Sequence, residues 1–157
     1  ERFVDRYPEL AKRHQPMVPI YERMRFLRSV PLFRDLSGDD VLRLAEKVEQ
    51  VEHQKGDVVF AKGDPGEEMF LVVRGRVAVV DGGVTLAEMG EAEFFGELAL
   101  LDYQPRSADA VCQEDAQLLR LRGADLEELM TRRPGAMREI VRVLAHRLRK
   151  SGRRAGQ

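Results

Sequence analysis

Between residues 94 and 108 the chain carries side chains suited to holding a phosphorylated sugar. The run Phe94-Phe95-Gly96-Glu97-Leu98-Ala99-Leu100-Leu101 interrupts the surrounding strand pattern, and Pro105-Arg106-Ser107-Ala108 follows it. It reads as one helical turn opened by Gly96, followed by a loop. The first N–H groups of a helix have no partner within it, and a glycine lets a ligand approach them closely, so such a turn suits a phosphate. Arg106 can neutralise the anion with paired donors, and the Ser107 hydroxyl adds another. A carboxylate repels phosphate but accepts from a sugar hydroxyl, which is the chemistry Glu97 offers. Phosphate and ribose are two of the three parts of a nucleotide, which is the ligand class these residues suggest.

The charge pattern sharpens that reading. From Gly56 to Asp102 ten acids stand against three bases, a local balance of -7, so this stretch does not draw polyanions from a distance. An anion entering it needs a local, desolvated cation, and Arg106 is the only base between Arg76 and Arg120. From Arg138 to Arg154 the balance reverses to seven bases and one acid, Glu139.

Composition excludes several classes. The 157 residues, 43% hydrophobic and 34% charged with a net charge of -1, suffice for one domain with a core. No long uncharged run is present, so neither a signal peptide nor a transmembrane helix is expected, and a cytoplasmic chain without direct membrane insertion is. The single Cys112 cannot form an internal disulfide, and His14, His53 and His146 lie far apart, so no metal site is expected. Nothing pairs a nucleophile with a base, so an enzyme is not expected. The near-zero charge argues against a whole-domain grip on nucleic acid. A chain opening on Glu1 reads as a fragment or a processed product.

The elements that position these residues follow from periodicity. Residues 1–29 mix helix-compatible runs with Pro8, Pro16 and Pro19, giving a helical arm or linker that ends in an amphipathic segment at Ile20–Leu27. Ser37-Gly38-Asp39-Asp40 places an N-cap three residues before an acid, and Val41, Leu44, Ala45 and Val48 follow at helical spacing. Strands are expected at Val58–Phe60, Met69–Val73, Arg76–Val80, Thr85–Met89, Ala108–Cys112 and Gln117–Leu121. Glycine-containing turns join them too tightly for crossover helices, so the sheet is expected to be mostly antiparallel, a sandwich or roll. Helical spacing returns at Gly123. After Pro134, the residues Met137, Ile140, Val141, Leu144 and Leu148 mark one face of a last helix.

The run Phe95–Leu101 with Pro105-Arg106-Ser107-Ala108 resembles the phosphate-binding cassette of cyclic nucleotide-binding domains, the family of the catabolite activator protein and the regulatory subunits of protein kinase A. Gly63-Asp64-Pro65-Gly66 through Val73, with Arg74-Gly75-Arg76-Val77, resembles the family's second signature, and the similarity spans about 30–150. The resemblance implies a mainly β fold with flanking helices: an eight-stranded antiparallel, jelly-roll-like β-roll with an N-terminal helical arm and C-terminal lid helices. The roll would occupy about 50–122, the lid 123–150 and a polar tail 151–157. It implies Glu97 on the ribose 2′-hydroxyl and Arg106 with Ser107 on the cyclic phosphate. Gly96, Leu98 and Ala99 would lend backbone, with Ala108 closing the motif. Val79 and Leu86 would form the apolar wall, and Arg147 and Ser151 would lie near the purine. The implied ligand is cAMP, with cGMP the alternative because the Ser107 hydroxyl can also meet a guanine amino group; no other cofactor is implied. The partner would be an effector domain of the same or another chain, with a homodimer left open. A helix-turn-helix domain would need several dozen residues beyond Lys150, so nucleic acid is not an expected partner.

Each feature also has an ordinary reading. Glu97 and Arg106 alone could form a surface ion pair. Gly66 and Gly75 read as turn glycines, Val79 and Leu86 as half-buried strand, and the basic end as a solvated helix face. Cys112 reads as a small buried residue. A rival to the nucleotide receptor is a roll that docks a partner and no longer responds to nucleotide.

Overall fold

The computed structural model describes residues 19–155, with side chains over 19–150. Residues 1–18 of the expected arm lie outside the described residues. The rest of the arm forms α1 (Ile20–Ser29), and a 3-10 turn at Pro31–Phe33 leads from it to α2 (Gly38–Lys47). Ser37 caps α2, its hydroxyl accepting from the Asp40 N–H at 3.2 Å, so the first turn keeps a partner for one of its free donors. Leu27, Leu32, Phe33, Val41, Leu44 and Ala45 all turn inward from this layer.

Eight strands follow: β1 (Glu49–His53), β2 (Val58–Phe60), β3 (Glu68–Arg74), β4 (Val77–Asp81), β5 (Val84–Met89), β6 (Phe94–Phe95), β7 (Asp109–Cys112) and β8 (Ala116–Arg122). A short helix, α3 (Leu98–Asp102), stands between β6 and β7, and α4 (Gly123–Arg132) and α5 (Pro134–Ala155) close the chain. The strands form two four-stranded sheets, ordered β1-β8-β3-β6 and β2-β7-β4-β5, with antiparallel pairing throughout. This is the mainly antiparallel roll with flanking helices that the resemblance implies.

Strand β3 explains the packing. Its Phe70 and Val72 join Val77, Met89, Phe95 and Leu118 between the two sheets. Its Met69 and Leu71 join Leu119, Leu121 and the helices on the opposite side. A strand covered on both faces needs a continuous apolar run rather than alternation, and Met69–Val73 supplies one. The polar strand β1 sits at a sheet edge, where only Val51 is apolar. No periodicity announces it, and the pairing of Val51 with Leu118 decides its place.

Three expectations need correction. Phe94 and Phe95 do not depart from the strand pattern but form a two-residue strand against Leu71 and Phe70, and the helical turn expected from Gly96, α3, starts only after Glu97. The stripe expected on the last helix is not buried as a unit: Ile140 is, Leu144 is half-buried, and Met137, Val141 and Leu148 are exposed. The inward side is Ala136, Ile140 and Val143, which join the core that the helices share with the outer face of the first sheet. Helix α5 also runs to Ala155, five residues into the stretch expected as a polar tail. Among the described residues no helix is long and apolar enough to cross a membrane.

Candidate ligand-binding site

The chain leaves β6 through Gly96, whose φ of +85° is open to glycine and strained for other residues. A Cβ there would also stand 3.0 Å from Nη1 of Arg106 and 3.2 Å from the Phe60 ring. This turn aims Glu97 and the first residues of α3 at the same space as Arg106. The arginine is fixed by its backbone as well, its N–H donating to the Asp64 carbonyl and its own carbonyl accepting from Gly63, each at 2.8 Å. The Gly63–Gly66 loop therefore does more than turn the chain.

Gly66, an ordinary turn glycine by its sequence context, is a close-approach position. Its φ is unexceptional, but a Cβ would meet the Ala99 methyl at 2.4 Å and Nε of Arg106 at 2.8 Å. No side chain fits between the loop and the guanidinium.

Arg106 is 5% exposed. Nη1 donates to the Gly96 carbonyl and Nη2 to the Glu68 carbonyl, both at 2.6 Å, and the guanidinium carbon stands 4.1 Å from the Phe60 ring centre. Burial lowers its pKa, while Glu68, Glu97 and Asp64 nearby favour the cation; a guanidinium stays charged in proteins regardless. The surface pair of Glu97 with Arg106 does not form. Both are buried, and the carboxylate is taken from elsewhere: Oε1 of Glu97 accepts from Nη1 of Arg147 on α5 at 2.9 Å. Arg147 also donates to the Phe94 carbonyl and lies over the Phe94 ring. Burial pushes the Glu97 carboxyl pKa up, opposed chiefly by Arg147, then by a hydrogen bond from its own backbone N–H and last by Arg106.

These groups meet at a cavity of about 450 Å³, within the size range of small-molecule sites. Gly96, Glu97, Leu98, Ala99, Arg106, Ser107 and Ala108 line its polar end. Val79 and Leu86 line the apolar wall with Phe60, Ala87, Met89 and Phe95, and α5 contributes Leu144, Arg147 and Leu148. Every site residue named from the sequence thus borders one cavity except Ser151, whose side chain lies outside the described residues. Sequence reasoning missed Phe60 and Met89, which look like any strand or turn-flanking hydrophobe. It also missed the Arg147–Glu97 pair, which joins residues fifty positions apart. The arrangement offers a buried cation with hydroxyl and backbone donors for an anion, a carboxylate for a hydroxyl, and an apolar slot for a flat ring.

Comparison with known proteins gives a family model, "Cyclic nucleotide-binding domain", matching residues 50–133. The "Cyclic AMP receptor protein" of Thermus thermophilus is 35% identical over 130 residues, covering 80% of this chain and 60% of that protein. A cGMP-dependent protein kinase of Drosophila melanogaster is 32% identical over 94 residues, 56% of this chain and 10% of the kinase. The crystal structure of Thermus thermophilus catabolite activator protein superposes with a TM-score of 0.68 at 35% identity, covering 80% of this chain and 62% of that one. The chain thus spans about 60% of the receptor's length and a tenth of the kinase's.

Proposed function

Because the chain belongs to the family of cyclic nucleotide-binding domains, we propose that it is a receptor module for cAMP that passes occupancy to an effector domain through its C-terminal helices. The observation that carries this reading is the convergence of Glu97, Arg106 and Ser107 with a ring-sized apolar wall on one cavity. In the bound state Arg106 neutralises the cyclic phosphate, and the Ser107 hydroxyl and backbone N–H groups of the Gly96–Ala99 turn add donors. Glu97 accepts from the ribose 2′-hydroxyl. The purine lies between Val79 and Leu86 on one side and Leu144 and Leu148 of α5 on the other.

Occupancy reaches α5 because Arg147 already shares the carboxylate that the ribose uses. A ligand shifts a conformational equilibrium only by its difference in affinity for the two states. Here a nucleotide changes both the partner of Glu97 and the apolar surface under Leu148, so the two positions of α5 differ in contacts with it. In this reading the module senses rather than catalyses, the two arginines and one carboxylate that line the cavity being taken up by the phosphate, by α5 and by the ribose. The name of the Thermus relative favours cAMP, while the cGMP-dependent kinase keeps cGMP as the competing ligand.

Calorimetric titration of the chain with cAMP and cGMP tests the reading. Saturable 1:1 binding of cAMP, tighter than cGMP, is expected. No heat and no protection from either nucleotide would leave the partner-docking roll as the better account.

A further inference from the structure

The receptor reading makes Arg106 the phosphate ligand, and any role for the groups that hold this arginine rests on that reading. Its guanidinium faces a physical problem: an arginine held rigidly in a buried site is usually held by a carboxylate, which would also cancel the charge the phosphate needs. Arg106 is held otherwise. Among the described residues no carboxylate forms an ion pair with it, and its two terminal nitrogens bond neutral carbonyls, those of Gly96 and Glu68. The third nitrogen, Nε, is buried without a hydrogen-bond partner. A buried donor left unmade is costly, and an incoming oxyanion is the group that would satisfy it.

The neighbour that meets this planar group without neutralising it is Phe60. The ring centre lies 4.1 Å from the guanidinium carbon, a cation–π distance. The ring packs at a tilt against Phe70 and Phe95, with centroids at 6.1 Å and 6.0 Å, and its edge lies 3.2 Å from where a Cβ on Gly96 would stand. Phe60 is itself only half-buried and borders the cavity, whereas Phe70 is buried in the inter-sheet core and Phe95, which also borders the cavity, is buried there too.

We propose that Phe60 is a positioning residue for the phosphate site, holding the Arg106 guanidinium by its aromatic face so that the cation is oriented while its charge and its Nε donor stay available to the anion. The ring's quadrupole, more than its volume, is then what matters.

The test is a double-mutant cycle read by cAMP titration. Phe60→Leu and Phe60→Met, which keep apolar volume but lose the aromatic face, should weaken cAMP binding about 10- to 30-fold. Phe60→Tyr should restore affinity to within about threefold of the wild type. In an Arg106→Gln background the Phe60→Leu change should cost less than about threefold more, since the group it acts through is gone. Phe70→Leu removes a ring from the same cluster but not the one over the guanidinium, and should leave affinity within about threefold even where it lowers the melting temperature. A second readout needs no ligand: the Arg106 Nε–H proton resonance should carry an aromatic ring-current shift that Phe60→Leu abolishes and Phe70→Leu keeps. Wild-type affinity in the Leu and Met variants, or an equal loss with and without Arg106, overturns the positioning role alone. A wild-type chain that binds neither cAMP nor cGMP overturns the receptor reading, and this role falls with it.

Discussion

Arg106→Ala removes the only cation that reaches the cavity's polar end from the cassette, and leaves a phosphate in a low-dielectric site without its counter-charge. The expected loss in cAMP binding is about 3–5 kcal/mol, or roughly two to three orders of magnitude, by titration of a variant whose circular dichroism is unchanged. Arg106→Lys should recover only part, because an ammonium cannot bond two carbonyls and an anion from one plane. Glu97 acts on the sugar, with an expected contribution of about 1.5–3 kcal/mol as a charged hydrogen bond. A 2′-deoxy analogue should therefore bind the wild type more weakly and lose little further in Glu97→Gln. Acid should reveal the same group. Burial raises this carboxyl's pKa in the folded chain, so the native state binds the proton more tightly than the unfolded one. The cost of the ionised form is present above the raised value and relieved as pH falls through it. Affinity moves the other way, and the advantage of wild type over Glu97→Gln in cAMP binding should shrink as pH drops through a window starting above the ordinary carboxylate range. Glu97, Arg106 and Ser107 are legible in sequence because their chemistry resides in residue type and their spacing is local. Gly66 is not, since its reason for being glycine is an arginine forty residues later.

At the scale of elements, α5 carries the switching hypothesis. Leu148 is 74% exposed while bordering the cavity, so most of its apolar surface is free to cover a ligand. Leu148→Ser should leave ligand-free stability within about 0.5 kcal/mol, as exposed substitutions do, while weakening cAMP about fivefold through lost burial against the purine. Hydrogen exchange across 134–150 at saturating cAMP should slow relative to the ligand-free chain. Unchanged protection there would make α5 static core and end the switching account, even with binding intact. The last helix is legible as a helix, and its inward face is not. Its apolar positions Met137, Val141 and Leu148 follow the same spacing as Ile140 and Leu144, and only the neighbouring layer decides which are covered. Strands β1 and β6 escape sequence reading for a related reason: one is polar at an edge and the other is two residues long, so pairing rather than pattern defines them.

For the molecule as a whole, the helical layer is tied down at Asp40. Its carboxylate accepts from Nε of Arg133 at 2.8 Å and lies 3.6 Å from Nη1 of Arg132, joining the first turn of α2 to the junction of α4 and α5. The bond to Arg133, then that to Ser37, holds this carboxyl below its usual range. A depressed carboxylate stabilises the fold above its unfolded value and loses that contribution as pH falls through the folded one. Asp40→Asn should accordingly lower the melting temperature at pH 7, and the gap to wild type should close on acidification into and below the usual carboxylate range. The shared strand β3 sets a limit on how the chain comes apart. With Phe70 and Val72 committed to one core and Met69 and Leu71 to the other, neither core survives loss of the strand. The helical layer and the roll should therefore melt in a single transition with matching calorimetric and van't Hoff enthalpies. A roll excised at 49–122 would bare the apolar outer face of its first sheet to solvent and associate with itself, so the smallest unit that can be engineered as a sensor includes the helices on both sides.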